Sequence, residues 1–150
     1  MKHTFEIRKI LVPTDFSESS NNTISHAIAL GQKTNASIHL LHIINVSSNV
    51  FPNFDYVDIT QQIKNRASQE LESLVSKLKS ESGLAISSEV MEGGVAGSIT
   101  DVAEKIKWDV IVMGTHGISG MQEFFMGSNA FRVVTSSKCP VLTINKVASN

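Results

Sequence analysis

The chain has 150 residues, of which 41% are hydrophobic and 18% charged, and its formal net charge at pH 7 is -1. This length and composition predict one globular domain, residues 1–150, and the near-neutral charge argues against electrostatic binding to nucleic acid or an anionic membrane. The chain shows no apolar leader and no membrane-length apolar segment, and its single Cys139 cannot form an internal disulfide, so we expect a cytoplasmic protein.

Apolar runs alternate with segments of helical periodicity along the chain. Strands are predicted at residues 10–12, 37–46, 84–92, 110–113 and 141–144, and helical spacing occurs around residues 24–31, 63–78, 99–106 and 128–136. Ser17 or Asp15 is a candidate N-cap for the first helix. Residues 47–58 are predicted to form a loop, whose aromatics Phe51, Phe54 and Tyr56 would cover a ligand, contact a second subunit or pack on one another.

The strand patterns predict a single-domain α/β fold. Four of the strands are nearly continuous apolar runs, which are typical of strands covered on both faces, whereas the third alternates and is expected at a sheet edge. Because crossovers between parallel strands are right-handed, we expect a doubly wound parallel five-stranded sheet with helices on both faces. Two strand orders fit, 3-2-1-4-5 and 2-1-3-4-5.

The strand order decides where a ligand would bind. In doubly wound sheets, ligands bind at the carboxyl ends of the strands where the winding reverses. In the order 3-2-1-4-5, that reversal lies between strands one and four. The segment Pro13-Thr14-Asp15 would then face Met113 and Gly114 across a crevice.

The glycine-rich stretch after the fourth strand carries the strongest functional signal. Gly114, Gly117 and the pair Gly127-Ser128 are spaced as G-x2-G-x9-G-S, after an apolar strand and before a helix. Glycines let backbone N–H groups approach an anion closely, and a helix N-terminus adds unpaired donors and a favourable dipole. The spacing is neither a Walker A loop nor the G-x-G-x-x-G fingerprint. It predicts phosphate binding, with a merely flexible loop as the alternative.

These residues together resemble the universal stress protein family. The resemblance runs from about Arg8 to Ile144 and rests on Pro13-Thr14-Asp15, Leu41-His42-Ile43, the glycine motif and Cys139-Pro140-Val141-Leu142. Within that family, the motif G-x2-G-x9-G-[ST] marks the branch that binds ATP. The resemblance therefore implies the adenine nucleotide alpha hydrolase-like fold with strand order 3-2-1-4-5. It also implies a stress-response regulator, a homodimer joined through strand Val141–Ile144, that binds ATP without robust catalysis and acts on an unidentified protein partner.

The resemblance also implies which residues bind the nucleotide. Asp15, with Pro13 and Thr14, matches the adenine and ribose side, and the backbone of Ile43 matches the position that reads the adenine edge. The phosphate side comprises Met113, Gly114, His116, Gly117, Gly127, Ser128 and Asn129. The residues themselves leave alternatives open: Asp15 as a helix cap, His116 as an ordinary polar loop residue, and Ser128 as both helix cap and phosphate ligand.

The loop departs from the family in charge. Ile118, Gln122 and Glu123 stand where the family often has Arg or Lys, and no Lys or Arg lies between Gly114 and Phe131. We therefore expect binding held by backbone amides, weaker or more dependent on Mg²⁺, with AMP, ADP or a dinucleotide as alternative ligands. The alternative functions are a slow ATPase and an interaction module without nucleotide.

The sequence predicts neither catalytic residues nor metal ligands. Ser17, Ser19 and Ser20 lack a general base with an orienting partner, and no G-x-S-x-G elbow is present. His39 and His42 are three apart in a strand, so their side chains are expected on opposite faces of the sheet.

Overall fold

The computed structural model describes residues 4–45, 56–116 and 126–145. Within them, five strands alternate with four helices. The strands are β1 (Lys9–Pro13), β2 (Ser37–Ile44), β3 (Ile86–Glu92), β4 (Val110–Gly114) and β5 (Val141–Ile144), and the helices are α1 (Glu18–Thr34), α2 (Tyr56–Ser82), α3 (Val95–Ile106) and α4 (Ser128–Ser136).

The sheet is parallel throughout and has the order β3-β2-β1-β4-β5. The predicted doubly wound α/β fold is confirmed, and of the two candidate orders 2-1-3-4-5 is wrong. The first β1–β2 pair is Lys9 with Ser37 and the last is Pro13 with Leu41, so β2 continues to Ile44 after β1 has left the sheet. The winding reverses between β1 and β4, which are adjacent.

Each face of the sheet carries its own hydrophobic core because strand residues alternate between faces. On one face, α1 and α2 cover Ile10, Val12, Ile38 and Leu40, and on the other α3 and α4 cover Leu11, Leu41, Ile111 and Met113. All eight side chains are at least 94% buried. The two cores hold the central strands rigidly, so the carboxyl ends of β1, β2 and β4 are fixed relative to one another.

The helix boundaries differ from the predicted ones at two places. Ser17 is the N-cap of α1, since its side chain accepts a hydrogen bond from the N–H of Ser20, and Asp15 is not. Helix α2 begins at Tyr56, inside the segment predicted as loop, and ends at Ser82 before Gly83, whose φ is +72°. Residues 46–55, including Phe51 and Phe54, lie outside the described residues.

The two edges of the sheet differ in chemistry. Strand β3 exposes polar residues such as Ser87 and Glu89 on its open face, as its alternating pattern predicts, whereas β5 exposes Leu142. No helix in the described part of the chain is both long and apolar enough to cross a membrane.

Candidate functional site

A cavity of about 310 Å³ opens at the carboxyl ends of β1, β2 and β4, where the winding of the sheet reverses. This volume lies at the lower end of the range of about 300–1,000 Å³ that is usual for small-molecule sites. Its walls combine apolar side chains with polar groups from the strand ends and from the first turns of α1, α3 and α4. A crevice of this kind at a switch point is where doubly wound proteins bind ligands.

The β1 side of the cavity is a turn, residues 14–17, held by side-chain hydrogen bonds. Oδ1 of Asp15 accepts from the N–H of Ser17 at 3.0 Å and from the hydroxyl of Ser20 at 2.6 Å, and the N–H of Asp15 donates to that same hydroxyl oxygen at 3.1 Å. The hydroxyl oxygen of Thr14 accepts from the N–H of Phe16 at 3.2 Å. The carboxylate of Asp15 is therefore fixed in place before any ligand arrives.

Backbone strain in this turn is balanced by contacts on the far side of the sheet. Phe16 has a φ of +63°, a left-handed conformation that is uncommon for a bulky residue. Its ring packs on the His42 ring with centroids 4.5 Å apart, and Nδ1 of His42 donates to the carbonyl oxygen of Thr14 at 2.8 Å. Strained backbone of this kind persists only where its surroundings over-determine it, and here they do.

Strand β2 offers backbone groups to the cavity at Ile43. The carbonyl oxygen of Leu41 accepts from the N–H of Thr14 at 2.9 Å, so the backbone groups of Leu41 point toward β1. Because these groups alternate between the two edges of a strand, the N–H and C=O of Ile43 point the same way. Strand β1 ends before it reaches Ile43, so Ile43 lines the cavity and does not pair with β1.

The β4 side of the cavity depends on close backbone packing. The N–H of Gly127 donates to the carbonyl oxygen of Thr115 at 2.6 Å, and a Cβ added at Gly127 would lie 3.0 Å from that same oxygen. A Cβ added at Gly114 would lie 3.1 Å from Oγ1 of Thr23, which is buried on α1. Tight packing thus favours glycine at both positions, in addition to any need for an anion to approach the backbone closely.

The first turn of α4 presents unfilled donors to the cavity. Gly127 is the N-cap of α4, because its carbonyl oxygen accepts from the N–H of Phe131 at 2.9 Å. The interpretation of Ser128 as the cap is therefore wrong; Ser128 is the first helical residue. The N–H groups of Ser128, Asn129 and Ala130 precede the first intrahelical bond and have no partner among the described residues.

Helix dipoles supply the positive potential in this cavity. None of its described lining residues is Lys or Arg, and the one carboxylate among them is that of Asp15. The N-termini of α3 and α4 both border the cavity, through Val95 and through Ser128. A helix N-terminus carries roughly half a positive elementary charge, so an anion is favoured without a basic side chain.

The structure places ten of the eleven predicted site residues around this one cavity. They are Pro13, Thr14, Asp15, Ile43, Met113, Gly114, His116, Gly127, Ser128 and Asn129. The eleventh, Gly117, lies outside the described residues. In the described part of the chain, no group of three or more His, Cys, Asp or Glu side chains could hold a metal ion. His39 and His42 face opposite sides of the sheet, toward Trp108 and Phe16.

Sequence reasoning missed several residues of the cavity. Ser20 and Thr115 are polar, and Leu41, Val95, Ile99 and Ala130 supply the apolar wall. Leu41 belonged to the family pattern, Thr115 lies inside the glycine motif between Gly114 and His116, and Ser20 was considered only as a nucleophile. Val95, Ile99 and Ala130 look like ordinary helix positions. The hydroxyl of Ser19, another residue of the first turn of α1, donates to the carbonyl oxygen of His116 at 3.2 Å.

The fold is that of a doubly wound α/β protein, with a cavity of small-molecule size at its switch point. The chain belongs to the universal stress protein family, because the sequence model of that family matches residues 6–145. Universal stress protein MJ0531 of Methanocaldococcus jannaschii is 35% identical to it over 140 residues, which are 93% of this chain and 82% of that protein.

Solved structures agree with this assignment at the level of the fold. Universal stress protein UspA from Lactobacillus plantarum has a TM-score of 0.81 and 21% identity, covering 93% of this chain and 99% of that one. A universal stress protein from Archaeoglobus fulgidus, determined in complex with dAMP, has a TM-score of 0.65 and 17% identity, covering 95% of this chain and 100% of that one.

Proposed function

We propose that this protein binds an adenine nucleotide in the cavity between β1 and β4, and that it reads ATP as a signal rather than consuming it. The observation that carries the proposal is the convergence of a fixed carboxylate, a free strand edge and a helix N-terminus on one cavity. The dAMP complex of the Archaeoglobus fulgidus protein supports the choice of an adenine nucleotide.

In this proposal, the β1 and β2 side binds the nucleoside. The N–H and C=O of Ile43 form a donor–acceptor pair suited to the adenine edge, while Leu41, Val95 and Ile99 provide apolar contacts for the ring. The carboxylate of Asp15 accepts hydrogen bonds from ribose hydroxyls. Pro13 and Thr14 line the same wall.

The phosphates lie at the N-terminus of α4. The N–H groups of Ser128 and Asn129 and the hydroxyl of Ser128 are donors, and Gly114, Gly127 and His116 border the same side. Gly117 remains a predicted member of this group. Mg²⁺ in protein sites keeps several waters and is held by one or two carboxylates together with phosphates. Since Asp15 is the one carboxylate in the described lining, Mg²⁺ would arrive with the triphosphate.

The proposal that ATP is read rather than hydrolysed rests on the chemical groups that the described lining residues supply. Phosphoryl transfer requires groups that neutralise charge on the transferred phosphoryl and orient the attacking water. The hydroxyls of Ser19 and Ser20 are hydrogen-bonded to the carbonyl of His116 and to Asp15. A turnover above about 0.1 s⁻¹, slow by the usual enzyme range, would favour the slow ATPase instead.

Calorimetry with ATP, AMP and GTP, each with and without Mg²⁺, tests the proposal. We expect binding of ATP and AMP, weaker binding of GTP because its base edge presents the opposite donor–acceptor pattern, and a rise in the midpoint of thermal unfolding with ATP. No heat and no thermal shift at millimolar ATP would contradict it and would favour the interaction module without nucleotide.

We also propose that two copies associate through β5. Leu142 on this edge strand is 43% exposed, and on the neighbouring α4 Phe131 is 59% and Val134 is 41% exposed. Bare apolar edge strands invite pairing with another chain. Sedimentation should show a dimer that Leu142→Glu converts to monomer, whereas Ile63→Glu, the same kind of change on α2, should leave the dimer intact. A monomeric unsubstituted protein would contradict this.

A further inference from the structure

The short segment that follows β4 is hydrogen-bonded to three other elements. The N–H of Thr115 donates to the carbonyl oxygen of Ile144 at the end of β5 at 3.1 Å, and the carbonyl oxygen of Thr115 accepts from the N–H of Gly127 at 2.6 Å. One residue later, the carbonyl oxygen of His116 accepts from the hydroxyl of Ser19 at 3.2 Å. The segment therefore connects α1, β5 and the N-cap of α4.

Of these three bonds, the one from Ser19 is made by a side chain. Ser19 is half-buried in the first turn of α1 and lies against the end of β4, since a Cβ added at Gly114 would be 3.5 Å from its Oγ. The same turn is anchored by Thr23, a buried residue whose hydroxyl donates to the carbonyl oxygen of Ser19 at 3.1 Å. Helix α1 therefore presents the hydroxyl of Ser19 from a fixed position.

The position of this segment determines where the first turn of α4 lies. The N–H groups of residues 128–130 come directly after the N-cap Gly127, so they move with it. Gly127 is bonded to Thr115, and a Cβ added at Gly127 would also lie 3.9 Å from Cα of His116. Because a planar peptide joins Thr115 to His116, a bond that holds the carbonyl of His116 also restrains the partner of Gly127.

We propose that Ser19 is a positioning residue for the phosphate side of the cavity. Its bond to His116 holds the segment after β4 in place, and that segment fixes the first turn of α4 through the bond to Gly127. This inference rests on the proposed nucleotide binding. Because the base and the ribose are bound at β1 and β2 in that proposal, loss of the Ser19 hydroxyl should weaken a ligand that carries a phosphate more than one that lacks it.

Calorimetry compares AMP with adenosine for the unsubstituted protein and for Ser19→Ala and Ser25→Ala. We expect Ser19→Ala to weaken AMP binding about 3- to 10-fold, the size of one hydrogen bond, and adenosine binding less than about 2-fold on the same scale. Ser25→Ala is the matched control and should change neither affinity, because the Ser25 hydroxyl also donates to a backbone carbonyl, that of Asn21, on an exposed part of α1. Equal weakening of AMP and adenosine by Ser19→Ala, or no weakening of AMP, would overturn the inference.

Amide hydrogen exchange measures the positioning without any ligand. In Ser19→Ala, the N–H of Gly127 should exchange about 3- to 10-fold faster, because local opening of its bond to Thr115 requires less free energy. The N–H of Thr14, which is bonded to the carbonyl oxygen of Leu41 on the β1 side, should exchange at an unchanged rate. Unchanged exchange at Gly127 would overturn the inference. If the unsubstituted protein bound neither AMP nor adenosine, the proposed function would fail, while exchange at Gly127 would still decide whether Ser19 holds the first turn of α4.

Discussion

The two sides of the cavity are built by different means. On the β1 side, side chains hold a strained turn, with Thr14, Asp15 and Ser20 each making a hydrogen bond that fixes a neighbour. On the β4 side, the packing is tight, because a Cβ would lie 3.0 Å from a backbone oxygen at Gly127 and 3.1 Å from Oγ1 of Thr23 at Gly114. The β1 side can be specific through hydrogen-bonding groups that are fixed in place. The β4 side can be specific through the close approach to the backbone that glycine permits.

This difference matches what each side is proposed to bind. A nucleoside presents hydroxyls and a base edge, which require acceptors and donors at fixed positions. Phosphates are recognised by a cluster of N–H groups and a favourable dipole, for which backbone at a helix N-terminus suffices. The lack of Lys and Arg in the described lining makes the second side depend mainly on backbone geometry, with the hydroxyl of Ser128 as an added donor. Substitutions should therefore separate binding from stability on the β1 side and couple them on the β4 side.

The largest effect is expected from Gly127→Val on the β4 side. Its Cβ would lie 3.0 Å from the carbonyl oxygen of Thr115, which is backbone and cannot swing away. Overpacking of this kind typically costs about 1–3 kcal/mol of unfolding free energy. Because the shift would move the first turn of α4, nucleotide affinity should fall more than about 10-fold, equivalent to roughly 1.4 kcal/mol. Urea unfolding and calorimetry measure the two quantities.

Gly94→Val is the matched control for that change. Gly94 is the N-cap of α3, with backbone angles close to those of Gly127, but a Cβ at Gly94 would meet no atom within 4 Å. It should lose only the modest N-cap preference of glycine over valine. Equal losses of stability in both variants would show that helix capping, not the contact with Thr115, explains the glycine.

Asp15→Asn on the β1 side is expected to affect binding alone, without the loss of stability that accompanies Gly127→Val. The amide oxygen can still accept from Ser17 and Ser20, so the turn and the unfolding free energy should change little. The amide nitrogen, however, cannot accept a ribose hydroxyl. Loss of a hydrogen bond to a charged group corresponds to about 1.5–3 kcal/mol, so AMP affinity should fall roughly 10- to 150-fold by calorimetry. Unchanged or tighter binding would remove Asp15 from the site.

The fold could be predicted well from the sequence because the spacing of apolar residues reflects which faces of each strand or helix are buried. The apolar runs of β1, β2 and β4 and the alternation in β3 reflect how many faces each strand covers, and two-sided strands with helical crossovers allow few topologies. The strand order came from the family resemblance, since composition and spacing left two orders open. The start of α2 at Tyr56 was missed because aromatics and a nearby Pro52 are typical of a loop.

The site was predictable where a residue is marked by its place at a strand end. Asp15 and Gly114 each come at the end of an apolar strand, and the strand order implied by the family resemblance pairs them across the crevice. Ser20 could not, because its role depends on the rotation of α1, which brings a first-turn hydroxyl back to Asp15. The packing reason for Gly127 likewise requires knowing that Thr115 lies beside it in space.

The smallest expected effect is the contribution of His39 to the pH dependence of stability. The side-chain contacts of His39 lie outside the cavity, so they can be compared with those on the β1 side. Its Nδ1 is hydrogen-bonded to the Ser87 hydroxyl at 2.7 Å, its ring stacks on Trp108, and its Nε2 lies 3.7 Å from Oε2 of Glu89. Burial lowers the pKa of His39 below 6.5, and Glu89 partly opposes this. The native protein therefore resists protonation at His39 more than the unfolded chain does.

The unfolding free energy should consequently be highest above pH 6.5 and should decline as the pH falls below it toward the lowered pKa of His39. Glu89→Gln removes the opposing charge, so the pKa should fall further and the decline should become steeper, while His39→Gln should flatten it. His26→Gln, an exposed histidine on α1, is the control. Urea unfolding between pH 5 and pH 8 measures these slopes, with pH limits set around the ordinary histidine range. If AMP affinity were lowered by His39→Gln and not by Asp15→Asn, the conclusion that the cavity is independent of the contacts between His39 and β3 would be wrong.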